Sequence, residues 1–413
     1  MSPSKPVLII GSGLSGLALG QSLKRLGIPF HIFERDAAND QRAQGYRIRI
    51  NQIGLDALRA CVPEDVYKRF EETTGENCKP SGSRRDPTTW AALPGRMGPP
   101  PPAQTPGAEG KPQPKNTGMG FSLPADRRVM RSVLLSGLED SVTYGKAFAD
   151  YTITDTGVTA HFADGATSGE GSLLVAADGL HSKVARKLAG ERLLPKPTGS
   201  WMIFGKTILT SQLVQAVKSD LTTNMSVLVE KDDQGRSLNF FSEPMRFSHS
   251  GAPSDYLYWV LLTSEDRLGM TGPQLSKLSS QEAADLSRRF AESWLPDVRP
   301  VLDQQESAET AVLRLNTSAI DGVPTWPTSE RVTLIGDAVH CMPPTGGSGA
   351  NTALRDVATL SKKLEEHILG GDGWGKKVIQ AYEEEMRPYA SEIVALSYDA
   401  AVNRFGASPI ISE

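Results

Sequence analysis

The 413-residue chain has only three cysteines, Cys61, Cys78 and Cys341, and no C-x-x-C pair. Such a set forms no disulfide framework and fits a reducing compartment. The six histidines fall at no metal-ligand spacing, and no nucleophile–base–acid triad or metal cluster stands out. No apolar run reaches the length of a membrane span. The apolar start behind Lys5, VLIIGSGLSGLALG, has the look of a secretion signal, but it continues through polar Gln21-Ser22 and Lys24-Arg25. The expectation is therefore a cytoplasmic protein without membrane attachment. A formal net charge of −4, with no basic excess, leaves nucleic acid out of the expected partners. No internal repeat is present.

What the chain does have is a strong opening. Val7-Leu8-Ile9-Ile10 is an apolar, largely β-branched run and reads as a strand buried on both faces. Gly11, Gly13 and Gly16 follow as G-x-G-x-x-G, with Ser15 among them. Leu14, Leu17, Leu23 and Leu26 recur at helical spacing up to a Gly27 stop. A second apolar strand over 29–33 ends at Glu34-Arg35. In such a βαβ unit the first glycine permits the tight turn. The second lets backbone approach a pyrophosphate, and the third lets helix pack on strand. The helix N-terminus offers free N–H groups to the phosphates, and Glu34 stands where a carboxylate would hold ribose hydroxyls. The unit predicts a dinucleotide site.

Further along, 45–51 alternates as a strand with Arg47 and Arg49 on one face. Arg47, close behind Gly45, is read as a cofactor contact; Arg49 divides evenly between contact and solvated face. Residues 52–72 read as a helix. Residues 80–114 are dense in proline and glycine, including Pro99 to Pro102, so they read as a disordered insertion or a flap. A helix begins at Asp126-Arg127-Arg128, with Arg131 one turn along, and 142–168 reads as a small β-meander. Short alternating strands at 201–206, 226–230, 238–241 and 256–262 suggest a second, antiparallel domain. Its aromatics, among them Phe241, Tyr258 and Trp259, are expected mostly in the core, with a few lining a pocket. A last helical segment over 376–403 should be interrupted or kinked at Pro388.

Two more apolar strands end in acid–glycine turns, at Asp178-Gly179 and Gly336-Asp337. In open α/β sheets, ligands sit beyond the carboxyl ends of strands, so three convergent turns suggest one extended ligand. Either acid alone could equally cap its own turn. A helix beginning near Ala350 would aim its N-terminus into the same crevice and favour negative charge there.

Three stretches in order carry a family resemblance. They are Gly11-x-Gly13-x-x-Gly16 with Glu34, Ala177-Asp178-Gly179-Leu180-His181-Ser182-x-Val184-x-Arg186, and Gly336-Asp337-Ala338-x-His340-x-x-Pro343-Pro344-x-x-Gly347-x-Gly349-x-Asn351-x-Ala353-x-x-Asp356. Together they resemble the single-component, class A FAD-dependent monooxygenases of the para-hydroxybenzoate hydroxylase type. The resemblance implies Glu34 at the adenosine ribose, Gly45 and Arg47 along the cofactor, and Arg127 as the family's helix-start arginine. It implies a role for Asp178 toward both FAD and a transient nicotinamide nucleotide. Asp337 would meet the ribityl chain, and Gly349, Ala350 and Asn351 the flavin's pyrimidine edge. Arg47 departs from the small residue many relatives carry.

The implied fold is α/β. A Rossmann-like FAD-binding domain would be built from residues 1–75, 119–189 and 321–371, with a Pro/Gly-rich insert at 76–118. A mostly antiparallel substrate domain would occupy 190–320, and a C-terminal helical segment 372–413. The implied activity is a monooxygenase using FAD, NAD(P)H (NADP or NAD) and O2. Through a flavin C4a-hydroperoxide it would hydroxylate, epoxidise or insert oxygen into an aromatic or polycyclic small molecule, in secondary metabolism. No side-chain acid or base stands out, which suits chemistry carried by a cofactor. A flavin oxidase or desaturase on the same scaffold, and a non-enzymatic nucleotide-binding regulator, are the competing expectations. The W-x-W-x-I-P stretch of flavin halogenases is absent.

Overall fold

The structure, a computed structural model, describes residues 5–37, 47–96, 121–370 and 375–410. β1 (Val7–Ile10) leads through the glycine turn into α1 (Leu14–Arg25) and β2 (Phe30–Phe33). β3 (Arg47–Asn51) feeds α2 (Gln52–Cys61), and α3 (Glu64–Glu72) follows. The helical stretch expected over 52–72 forms two helices. Pro63 lacks an N–H to continue the first helix and stands as the cap of the second.

Next come β4 (Lys79–Pro80), β5 (Ser83–Arg85), β6 (Ala92–Arg96), β7 (Ser122–Asp126) and α4 (Arg127–Leu135). β8 (Val142–Thr143), β9 (Phe148–Ile153), β10 (Val158–Phe162), β11 (Leu173–Ala176) and α5 (Lys183–Ala189) complete the first half. The second half holds β12 (Lys196–Ile208), β13 (Asn224–Lys231), β14 (Ser237–Met245), β15 (Tyr256–Ser264), α6 (Ser280–Phe290) and β16 (Ala311–Thr317). The chain ends through β17 (Val332–Leu334), α7 (Asp337–His340), α8 (Gly349–Gly370) and α9 (Lys376–Phe405).

A parallel sheet in the order β17-β11-β1-β2-β8 forms the first layer. Its central strands are buried on both faces, as their unbroken apolar runs require. The expected meander over 142–168 is only partly a hairpin: β9 and β10 pair with each other, whereas β8 joins the edge of the parallel sheet beside β2. An eight-stranded sheet, β16-β12-β15-β14-β13-β5-β6 with β4 on β13, forms the second body. Residues 79–96, expected within a disordered insert, supply three of its strands: β4 and β5 pair with β13, and β6 pairs with β5. Residues 97–114 of that stretch lie outside the described residues, as does Gly45.

Alternation sorts the aromatics of this sheet. Trp201, Phe240, Leu257 and Trp259 pack into one core with Trp294 behind the sheet, while Phe204, Tyr256, Tyr258 and Val260 share the opposite face. That second face meets the first domain: the Tyr256 hydroxyl donates to Asp126 Oδ2 at 2.8 Å, both groups buried. Asp126 also caps α4, its Oδ1 accepting from the N–H groups of Arg128 (2.9 Å) and Val129 (3.1 Å). α9 runs unbroken through Pro388. Burial of Met386, Tyr389 and Ala390 on its core side outweighs the one lost hydrogen bond. No helix among the described residues is long and apolar enough to cross a membrane.

Removing the Tyr256 hydroxyl leaves a buried carboxylate oxygen short of a donor. Tyr256→Phe is expected to cost about 1–3 kcal/mol, read as a lowered thermal midpoint. An unchanged midpoint would show that this contact does not hold the two bodies together.

Candidate functional site

The glycine turn is built by close approach. Gly11 has φ +103°, and a Cβ there would lie 2.4 Å from the Ala177 carbonyl oxygen; a Cβ on Gly16 would lie 2.1 Å from the Gly11 carbonyl. Nothing stands within 4 Å of a Cβ on Gly13, so the loop is open where a ligand would approach. Glu34 closes the turn. Its Oε2 accepts from the Ser12 N–H and hydroxyl, both at 2.8 Å, and its Oε1 from the Asp36 N–H at 3.0 Å. Burial opposes ionisation of Glu34, but these hydrogen bonds and the charge of Arg131 win and hold its carboxyl below the usual range. Arg131, on α4, also donates to the Ser12 carbonyl (3.1 Å) and hydroxyl (2.7 Å). Arg35 points outward, exposed, 3.4 Å from Asp36.

Asp178 ends β11 in the crevice. Its Oδ2 accepts from the Lys183 N–H at 3.2 Å, while its Oδ1 is buried without a hydrogen-bond partner. Burial pushes this carboxyl up to about 6, against the pull of hydrogen bonds from Ser182 and nearby backbone. At the third strand end Gly336 takes φ +64°, and the space its Cβ would fill is bounded by Ala353 (3.2 Å) and Ser15 (3.3 Å). Ser15 and Gly336 are therefore neighbours across the crevice. Asp337 is exposed at its rim. Burial lowers Arg127 from its ordinary value, and the charge of Asp337 partly offsets this.

Behind the rim lies a carboxylate that sequence spacing placed in the motif without giving it a job. Asp356 Oδ2 accepts from the Gly336 N–H at 2.7 Å and meets His340 Nε2 at 2.6 Å; its Oδ1 accepts from the Tyr389 hydroxyl at 2.7 Å. Asp356 and His340 are fully buried. Burial alone would lower the His340 imidazole; Asp356 more than reverses this and raises it. Gly347 (φ +62°) ends the turn before α8, and Gly349 and Ala350 form that helix's first turn, its positive end facing the crevice. The Asn351 side chain is fully engaged by protein. Its Oδ1 accepts from the Asn51 N–H, and its Nδ2 donates to the Arg49 and Gly347 carbonyls, all at 2.9 Å.

Arg47 is not turned to the glycine turn. It pairs with Glu243 on β14 and stacks over Phe241 at 5.4 Å. Arg49 reaches the same carboxylate at 2.5 Å, so neither arginine lies on a solvated face. Of the sequence-predicted residues, the structure brings Gly11, Gly13, Ser15, Gly16, Asp178, Gly336, Asp337 and the start of α8 to one crevice. Arg35 follows Glu34 with its side chain exposed. Arg131, Ser12 and Tyr389 were not predicted, because each acts through a partner far along the chain.

This crevice fits FAD on its own evidence: an open Gly13, an orphaned carboxylate oxygen on Asp178, and a helix N-terminus at the far end. A Rossmann-type sheet whose three strand ends converge on one long crevice, faced by an antiparallel sheet, defines a flavoprotein fold. The family described as FAD binding domain matches residues 4–64 and 140–397, and the chain belongs to it. That membership bears out the resemblance carried by the three motifs. The chain is 32% identical over 439 residues to the dual O-methyltransferase/FAD-dependent monooxygenase CTB3 of Cercospora beticola, covering 99% of this chain and 47% of that protein. It is 28% identical over 385 residues to the FAD-dependent monooxygenase dbaB of Emericella nidulans, covering 88% of this chain and 87% of that one. A crystal structure of a protein described as an FAD-containing monooxygenase from Photorhabdus luminescens superposes with a TM-score of 0.76 at 28% identity. It covers 97% of this chain and 98% of its own. The chain spans about half the length of the dual-function relatives it matches.

Two predictions test the cofactor fit. Gly13→Ala should leave the unliganded protein's stability within about 0.5 kcal/mol while weakening FAD binding, measured by flavin fluorescence titration. Equal affinity would remove Gly13 from the site. For Asp178, the folded value near 6 exceeds the 3.8 of a free carboxyl, so its contribution to stability is present at low pH and lost as pH rises between them. A ligand hydroxyl donating to Oδ1 favours the ionised form. FAD should therefore bind more tightly above pH 6 than below it, and Asp178→Asn should flatten that dependence. A pH-independent dissociation constant in the wild type would contradict the assignment.

Proposed function

We propose that this chain is an FAD-dependent monooxygenase domain that consumes NAD(P)H and O2 and oxygenates an aromatic or polycyclic small molecule of secondary metabolism. The observation that carries the reading is the convergence of three strand ends and the α8 N-terminus opposite the aromatic face of the large sheet. Ser12, held by Glu34 and Arg131, fixes the loop that would receive the pyrophosphate. Asp178 and Asp337 offer carboxylate oxygens to polyol hydroxyls. The first turn of α8 stabilises negative charge at the far end through its free N–H groups. Bound FAD supplies the redox chemistry between the nicotinamide nucleotide, O2 and substrate. The sheet face carrying Phe241, Tyr258 and Val260 supplies an apolar wall that excludes water and holds a flat substrate. The names of the fungal relatives support oxygenation. Those joined to an O-methyltransferase also support a substrate or product bearing a hydroxyl group.

The test is turnover under isotope-labelled O2 with NADH and NADPH across a panel of aromatic polyketide-like compounds. One labelled oxygen atom per product is expected. Product free of label, with hydrogen peroxide released in equal amount, would replace the monooxygenase reading with an oxidase.

A further inference from the structure

Between the parallel sheet and the β9–β10 hairpin the protein leaves a cavity of about 470 Å³. Leu8 on β1 stands opposite His31 on β2, so Leu8, His31 and Phe33 leave the sheet on the cavity's face. The cavity reaches the amino ends of these strands at Pro6 and Phe30. The crevice lies at their carboxyl ends, and none of the residues that converge there lines this second space.

One wall is a row of rings. The centroids of His31 and Phe33 are 4.7 Å apart and those of Phe33 and Phe162 4.8 Å, both pairs tilted. Protein interiors are close-packed, so a gap of this size bounded by aromatic surface is an exception. Its volume falls within the roughly 300–1,000 Å³ of small-molecule sites. Charge around it is balanced. Lys146 Nζ, over the Phe162 ring, is paired with Asp164 at 2.6 Å. Burial lowers the His31 imidazole from its ordinary value, so it is uncharged near neutral pH. His31 Nε2 meets the Thr143 hydroxyl at 2.7 Å. Its Nδ1 has no hydrogen-bond partner among the described residues and is not shut off from solvent. Such walls select a flat, uncharged molecule whose hydroxyl pairs with the free imidazole nitrogen.

The same lining residues hold the crevice through their backbone. The Phe33 carbonyl accepts from the Gly11 N–H at 2.8 Å, and the Thr143 carbonyl from the Glu34 N–H at 2.9 Å. The Lys146 N–H donates to the Glu34 carbonyl at 2.7 Å. Each of the three thus lines the cavity and also fixes the glycine turn or its carboxylate. A ligand that fits these walls favours the backbone arrangement in which Glu34 holds Ser12. Two ligands that select one arrangement bind with positive coupling.

We propose that this cavity is a second ligand site, for a neutral planar aromatic molecule of two or three rings bearing a hydroxyl, and that its occupation strengthens FAD binding through Phe33, Thr143 and Lys146. The ligand's class follows from the cavity walls, whatever reaction the crevice carries out.

The probe is 2-naphthol, with 2-methylnaphthalene as its hydroxyl-free counterpart, each titrated into the FAD-loaded protein by equilibrium dialysis. Ala166, half-buried on the hairpin side, lines the cavity, and Ala166→Phe sets a ring into the space. That variant should lose one equivalent of bound 2-naphthol while keeping its flavin spectrum. Wild type should hold 2-naphthol about threefold or more tighter than the hydrocarbon, the scale of one hydrogen bond. His31→Phe keeps the row of rings without the nitrogen and should erase that preference; it decides the site should Ala166→Phe fail to fold. Saturating 2-naphthol should tighten FAD, measured by flavin fluorescence titration, about fivefold or more beyond its effect in Ala166→Phe, the lower end of couplings between sites. No saturable binding, equal stoichiometry in wild type and Ala166→Phe, or a hydroxyl preference that survives His31→Phe would overturn the site. Binding that Ala166→Phe removes without any difference in FAD affinity would overturn the coupling.

Discussion

The crevice depends on how closely the end of β11 presses against the first glycine turn. With the Ala177 carbonyl 2.4 Å from where a Gly11 Cβ would be, and the Gly11 carbonyl 2.1 Å from that of Gly16, strand, turn and helix are in backbone contact. No rotamer change could relieve a side chain at either place, since the obstructing atoms are main chain. This contact sets the ends of β1 and β11 at one level and α1 tight against both. The free N–H groups of α1 and the Asp178 carboxylate then face one another across a single crevice. The opening at Gly13 is its complement: the backbone is crowded on the protein side and clear on the ligand side.

The third strand end is brought to that level by a different device. Asp356 reaches back from α8 to the Gly336 N–H, to His340 and to Tyr389 on α9. A buried carboxylate with fewer partners would be a heavy penalty, whereas three donors, one of them an imidazole raised toward its charged form, turn it into a junction. Gly336 and the start of α8 belong to opposite ends of the expected ribityl–flavin contact. One side chain fixes their spacing. Tyr389 extends that control to the C-terminal helix, which therefore belongs to the site's frame.

What could be read from the sequence followed the range of the interactions. The βαβ unit, its glycines, Glu34 and the acidic strand ends were legible because each is defined within about thirty residues by pattern and spacing. Arg131 and Tyr389 were not, because their partners Ser12 and Asp356 lie on other elements. The alternation around Arg47 and Arg49 correctly put both side chains on one face, but only the fold could supply Glu243 as what that face meets. The strands at 79–96 were hidden by prolines and glycines, since pairing onto β13 and then onto β5, rather than local propensity, holds them. Likewise α9 passes through Pro388 because tertiary burial overrides one broken rung.

β3 joins these two regimes. Its backbone, through the Arg49 carbonyl and Asn51 N–H, is clasped by Asn351 at the N-terminus of α8. Its side chains, Arg47 and Arg49, are clasped by Glu243 on the large sheet. The Cβ position of Gly54 lies 2.2 Å from Asn351 Oδ1, so α2 leaves that clasp no room to slide. A five-residue strand thus sets the distance between the helix end expected at the flavin and the sheet face expected at the substrate. Both contacts fall within the same three residues, Arg49 serving each with a different part of itself. Any shift of Glu243 that pulls on Arg49 must therefore pull on Asn351. With the Tyr256–Asp126 contact, this strand ties the helix end expected at the flavin to the sheet face expected at the substrate, while the larger hydrophobic cores pack mostly within their own bodies.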